Sequence, residues 1–182
     1  EIIHMVSLWK RTMKLLIAAL TGVFLVSNVL AESLSVGQLA PDFNLPDQQN
    51  NDLQLSDLRG QWVVLYFYPK DQTPGCTKEA CSFRDNISGI TAKNAVVLGV
   101  SVDDSESHSA FAEKHELPFK LLSDSDGEIA KQYGALRNLL LLKIAKRHSF
   151  IIDPKGKIAK IYRKVSPASH VSEIVSDLEA LQ

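Results

Sequence analysis

The chain carries two unbroken apolar runs beyond its N-terminal region, "QWVVLYFYP" (Gln61 to Pro69) and "AVVLGVSV" (Ala95 to Val102). Such runs, rich in β-branched and aromatic residues and lacking polar alternation, are strands buried on both faces. Between and after them the spacing turns helical. Thr73 is an N-cap residue type, Pro74 suits the first helical position, and the helix they open is predicted to reach about Thr91. Ser105 opens a second helix through "ESHSAFAEKHE", stopped before Pro118; "FKLLSD" reads as a strand and "SDGEIAKQYG" as a short helix ending at Gly134. "HSFIIDPKGKIAKIYRK" is a hairpin of two strands around Pro154, Lys155 and Gly156. In the closing "SPASHVSEIVSDLEAL", Val171, Ile174, Val175, Leu178 and Leu181 recur at helical spacing. Leu34 to Leu58 is polar and punctuated by Pro41, Pro46 and Asn50–Asn51, which suits short strands or extended segments. The order β-α-β-α-β-α-β-β-α predicts an α/β fold with a central mixed sheet flanked by helices on both faces.

Residues 1–31 read as a segment separate from this domain, which takes 32–182. Met5 and Met13 are candidate starts; from Met13 come Lys14, the apolar "LLIAALTGVFLV" and then "SNVLAES". A basic start, a short apolar run and small residues at its exit predict a secretory signal peptide, with cleavage after Ala31 and Val29 at the −3 position. Polar Ser27 and Asn28 end the run where a signal would end. The alternative is an uncleaved inner-membrane anchor, since Leu15 to Ala31 lies near the lower limit of about 17 residues for a span. No cysteine stands at the exit to carry a lipid. The expected location is therefore exported and periplasmic.

Composition narrows the partners. The chain has 182 residues, 45% of them hydrophobic, with 20 basic and 21 acidic side chains. That suits one globular domain, and so even a balance of charge gives no footprint for nucleic acid or an anionic membrane surface. Two cysteines are too few for a disulfide scaffold, even in an oxidising compartment.

Both cysteines fall in "PKDQTPGCTKEAC", residues 69–81. Cys76 belongs to the first turn of the predicted helix, where unpaired N–H groups and the positive end of the helix dipole favour a thiolate. Thr73 is placed to donate to the sulfur or to an oxygen approaching it. Pro69 and Pro74 remove backbone N–H groups and stiffen the approach, while Gly75 lets the backbone come close. An accessible thiolate so placed is a nucleophile. Cys81 follows five residues later. In a continuous helix the two Cα atoms lie roughly 8–9 Å apart on different faces, beyond the roughly 7 Å a disulfide spans. The pair therefore closes only if part of the helix unwinds, a poor arrangement for a permanent staple and a reasonable one for a switch. A zinc site is a further alternative, but His108, His115, His148 and His170 show no paired spacing with the cysteines. A thioredoxin-type exchange site uses C-x-x-C, against C-x-x-x-x-C here.

At these residues the chain resembles the peroxiredoxins. The family pattern P-x-x-x-[TS]-x-x-C is met by Pro69, Thr73 and Cys76, and "DQTPGCTKEACSFRD" is similar to the bacterioferritin comigratory protein or peroxiredoxin Q subfamily. The likeness extends from "GQLAPDFNLPD" through "GVSVDDSESHSAFAEKHELPFKLLSD" to "RHSFIIDPKGKI". It implies a thioredoxin-like fold and a peroxidase acting on hydrogen peroxide or alkyl hydroperoxides, with a thiol-disulfide oxidoreductase of the same fold as the alternative. It assigns Cys76 as the peroxidatic cysteine, oxidised to a sulfenic acid, and Thr73 as a hydrogen-bonding partner of substrate and thiolate. Pro69 shields the sulfur and Pro74 shapes the loop. Arg147, which the family places on the strand before the C-terminal hairpin, supplies the active-site cation; on its own it reads as a strand-edge charge beside Lys146. Glu79 matches a position that orients that arginine, and equally suits a helix N-terminal acid. Cys81 matches a resolving cysteine, giving an intramolecular Cys76–Cys81 disulfide reduced by a thioredoxin-like donor. With both thiols in one chain, a monomer suffices. No cofactor or metal motif accompanies these residues. Two features depart from the family: the export signal, and "LRNLLLLKIAKR" (Leu136 to Arg147), which reads as a core-packing loop, a segment flanking the pocket or an interaction surface.

Overall fold

The computed structural model describes residues 34–139 and 142–182; the expected signal segment lies outside the described residues. The turn-rich stretch after Leu34 forms a small antiparallel pair, β1 (Asn44–Pro46) and β2 (Asp52–Gln54), followed by a 3-10 turn at Leu55–Leu58. The first apolar run then enters the main sheet as β3 (Trp62–Phe67). After it come α1 (Pro74–Asp85), α2 (Ile87–Thr91), β4 (Ala95–Ser101), α3 (Ser105–Lys114), β5 (Lys120–Ser123) and α4 (Glu128–Gln132). A hairpin of β6 (Leu136–Leu139) and β7 (Leu142–Ala145) precedes β8 (Ser149–Ile152), β9 (Ile158–Tyr162) and the closing α5 (His170–Leu181).

Five strands form the sheet, in the order β5-β4-β3-β8-β9. The β3–β4 and β4–β5 pairs are parallel, and β3–β8 and β8–β9 antiparallel, so the sheet is mixed as expected. The apolar runs divide their side chains by the strand period of two. Val64, Tyr66 and Tyr68 pack on one face with Phe83, Phe111, Phe119 and the Val171, Ile174, Leu178 stripe of α5. Val63, Leu65 and Phe67 pack on the other with Tyr133, Phe150 and Ile152. Both faces of β3 are thus sealed, which explains the absence of polar alternation. Leu181, expected in the α5 stripe, is 38% exposed; the helix passes the edge of the core there.

Two segments differ from the sequence expectation. The helix predicted from Thr73 to Thr91 is interrupted at Asn86, whose side-chain amide donates to the Ser82 carbonyl at 2.9 Å and whose backbone leaves the helical region (φ −108°, ψ 7°). An asparagine that competes for helix carbonyls in this way ends the first helix and starts the second. The apolar and basic segment that reads as a core-packing loop, a segment flanking the pocket or an interaction surface contains β6 and β7, paired Arg137 to Ile144 and Leu136 to Ala145. Its base is anchored by buried Ala145, but Leu139 and Leu142 are 47% and 64% exposed. One end belongs to the core and the other projects from it.

Candidate active site

Strand β3 delivers the chain into a loop, residues 68–73, that is held from beneath. Asp71, 4% exposed, accepts hydrogen bonds from Tyr68 Oη and Ser107 Oγ, each at 2.7 Å, and lies 2.8 Å from His108 Nδ1. Its own N–H donates to Asp103 Oδ2 at 2.9 Å. His108 is fully buried, and its Nε2 faces the Leu122 carbonyl at 3.1 Å. With an acceptor at each ring nitrogen, this histidine anchors the loop. Sequence reasoning weighed His108 only as a metal ligand and passed over Asp71, Asp103 and Ser107. Each lies beside a strand end or helix start, where polar residues are ordinary, and nothing local shows that they converge.

The loop fixes the start of α1. Thr73 occupies the N-cap position with extended backbone, but its hydroxyl does not cap the helix. It donates instead to the Lys70 carbonyl at 2.9 Å. This differs from the expectation that Thr73 donates to the sulfur or to an oxygen approaching it: with its proton engaged by the Lys70 carbonyl, the hydroxyl presents lone pairs to a ligand. Pro74 begins the helix, and Thr77 N is the first amide to bond back, to the Thr73 carbonyl at 2.8 Å. The N–H groups of Gly75 and Cys76, earlier in the turn, have no intrahelical acceptor.

Cys76 shares one helix face with Ala80 and Phe83 and joins the core cluster of β3 and α5. It is 1% exposed, so the expected accessible thiol is a buried one. Arg147 reaches it from the link between β7 and β8, rather than from a strand. One guanidinium nitrogen, Nη2, donates to Cys76 Sγ at 3.1 Å and the other, Nη1, to Glu79 Oε2 at 2.6 Å. The fork of a planar guanidinium matches this pair of acceptors, as a point charge would not. Gly75 makes room for it, since a Cβ at that position would stand 2.8 Å from Arg147 Nη2. The glycine expected to allow a close backbone approach therefore admits the arginine.

Glu79 is fully buried, and its Oε1 has no hydrogen-bond partner among the described residues. Burial raises its carboxyl to about 7, with the guanidinium offsetting only part of the shift. Cys81 lies on a different helix face, partly buried, with its sulfur 4.0 Å from His115 Nδ1. Both cysteines are free thiols. His170, another residue weighed for zinc, bonds Ser149 Oγ at 2.8 Å. Pro69, Arg147 and His148 all line a cavity beside the site. The fold therefore gathers Cys76, Arg147, Glu79 and Gly75 into direct contact, sets Thr73, Pro74 and Pro69 around them, and leaves Cys81 outside the cluster.

A thiol facing an arginine at the start of a helix can act as a nucleophile toward an electrophile with a polarisable bond, and comparison with known proteins identifies the family that uses it. The AhpC/TSA family matches residues 36–161. A protein of Coxiella burnetii described as a bcp peroxiredoxin is 47% identical over 150 residues, covering 80% of this chain and 99% of that one. Peroxiredoxin Bcp of Bacillus subtilis is 41% identical over 153 residues, covering 81% and 96%. The crystal structure of peroxidoxin BcpB from Mycobacterium tuberculosis superposes with a TM-score of 0.77 at 37% identity, covering 82% of this chain and 99% of that one. The shared sheet is the thioredoxin-like fold of these enzymes. The chain belongs to the AhpC/TSA family, as a thiol-dependent peroxidase of the peroxiredoxin Q type.

Proposed function

We propose that Cys76 is the peroxidatic residue and that Cys81 resolves it within the same chain. The observation that carries this is the Arg147 guanidinium 3.1 Å from the Cys76 sulfur, itself held by Glu79. A cation there, together with the N–H groups of the first helical turn that have no intrahelical acceptor, stabilises negative charge developing on a peroxide oxygen. The Thr73 hydroxyl accepts a hydrogen bond from the terminal O–H of the substrate. The thiolate attacks that terminal oxygen, the O–O bond breaks, and the departing alkoxide takes up a proton to leave as an alcohol, or as water from hydrogen peroxide. Cys76 becomes a sulfenic acid.

Resolution needs movement. Cys76 and Cys81 share the helix Pro74–Asp85, so they meet only after its first turns unwind. The Cys81 thiol then displaces the sulfenic hydroxyl as water, forming the disulfide. A thioredoxin-like dithiol reduces it by exchange and is itself oxidised. Because Cys81 lies in the same chain, the cycle runs in a monomer. The signal pattern of residues 1–31 supports a periplasmic enzyme with a periplasmic donor.

Mass spectrometry after one equivalent of hydrogen peroxide tests the cycle. Wild type is expected to carry a Cys76–Cys81 disulfide, and Cys81→Ser a sulfenic acid at Cys76 that a dimedone-type reagent traps. Turnover of Cys81→Ser with a thioredoxin-like donor should fall to a single oxidation event. Undiminished turnover by that variant would remove Cys81 from the mechanism.

A further inference from the structure

A cavity of about 450 Å3 opens beside the reactive cysteine, with Pro69 and Arg147 in its wall. That is a volume typical of small-molecule sites and many times the roughly 30 Å3 that one water molecule claims in the liquid. Hydrogen peroxide alone does not account for it.

The cavity is also one-sided in charge. Arg137, Lys146, Arg147, Arg163 and Lys164 line it, with no Asp or Glu among the described residues of the wall. Among the described residues only Arg147 of these five forms an ion pair. Lys146 Nζ donates to the Gly134 carbonyl at 3.3 Å and Arg163 Nη2 to the Leu34 carbonyl at 2.9 Å, contacts that place the charges without neutralising them. His148, in the same wall, registers the field: burial first, then Arg163 and Lys146, hold it down to about 4. Leu139, Ile144 and Val165 give the cavity an apolar side, two of them supplied by the β6–β7 hairpin.

From this juxtaposition we infer that the cavity is a subsite for an acidic group on the substrate, so that organic hydroperoxides bearing a carboxylate or phosphate are preferred over neutral ones. The anion rests on Arg137, Arg163 and Lys164, the carbon chain runs along Leu139, Ile144 and Val165, and the peroxide oxygens reach Arg147 and Cys76. The inference rests on the peroxidase reading and leaves its chemistry unchanged: the hydroperoxide is still reduced to an alcohol as two thiols become a disulfide.

The test measures second-order rates with matched pairs, alongside hydrogen peroxide as a control. One pair is the hydroperoxide of a long-chain carboxylic acid and its methyl ester. The other is a phospholipid hydroperoxide with an anionic headgroup and the same lipid with a zwitterionic one, both in neutral detergent micelles. An acid-over-ester ratio on the order of tenfold is expected, the size of one charge-assisted hydrogen bond kept in the transition state. Preference in the first pair assigns the free acid, and in the second the lipid headgroup; either supports the subsite. The ratio should fall toward one in the combined Arg137→Gln, Arg163→Gln, Lys164→Gln variant. It should shrink likewise in wild type at about 0.5 M salt, where exposed charges are screened beyond roughly 4 Å. Equal rates within both pairs, with hydrogen peroxide still consumed, overturn the subsite alone. Failure to consume hydrogen peroxide as well overturns the peroxidase reading beneath it.

Discussion

Cys76→Ser is expected to reduce peroxide consumption to the uncatalysed rate, the largest single loss available to this enzyme. A thiol ionises within reach of neutral pH and a serine hydroxyl does not, so the substitution removes the nucleophile while keeping its shape. The surroundings make the loss interpretable. Cys76 is 1% exposed and packs with Ala80 and Phe83, so serine buries a hydroxyl in its place. An unpartnered buried hydroxyl costs about 1–3 kcal/mol, but the Arg147 Nη2 donor 3.1 Å from the sulfur offers it a partner. A fall in melting temperature of a few degrees, with unchanged secondary structure by circular dichroism, would accompany the loss of turnover. Normal consumption of peroxide by this variant, measured with a dithiol donor present, would sink the assignment of Cys76. Residual consumption that depends on Cys81 would move the reactive thiol five residues along the helix.

Much of this was legible in the chain, for reasons that can be located. The runs that became β3 and β4 lack alternation because both sheet faces are covered, and that pattern survives translation into sequence. The start of α1 was legible because a cap-type residue and a proline act locally. The break at Asn86 was not, since it depends on a side chain turning back onto the Ser82 carbonyl. The β6–β7 hairpin escaped because an apolar, basic stretch reads equally well as a packed loop, and only its pairing shows which side faces out. At the site, motif spacing found Cys76 and Thr73, but Arg147 stands 71 positions from Cys76 and entered by resemblance alone. The role of Gly75 and the Asp71–His108 anchor were invisible, because each is a contact between distant segments. Residue type told the truth about Thr73 as a cap position and misled about its hydroxyl, which the Lys70 carbonyl claims.

Arg147→Gln is the second large effect, expected to slow the peroxide reaction by roughly 10²–10³-fold, as when a single preorganised donor is taken from a developing anion. Glutamine keeps a donor but loses the charge and the two-pronged reach that joins Cys76 Sγ to Glu79 Oε2. Arg147→Lys should recover part of the rate, because it restores charge without the fork. The pair also sets a dependence on pH. Glu79 titrates at about 7 in the fold, against an ordinary 4.5. Between those values the folded chain binds the proton more readily than the unfolded one, so this group's contribution to stability declines as pH rises from 4.5 to 7. In Arg147→Gln the carboxylate is left without its cation, and the melting temperature should drop more steeply above pH 7 than in wild type. Glu79→Gln, a mimic of the protonated acid, should flatten that slope. It should be the more stable protein at pH 8, by on the order of 1–3 kcal/mol, while reacting more slowly because Arg147 has lost its guide. A variant that is both more stable and less active is the signature of a buried carboxylate retained for position. An unchanged second-order rate in Arg147→Gln would instead leave the helix N-terminus as the main source of polarity at the sulfur, with Arg147 reduced to a wall of the cavity.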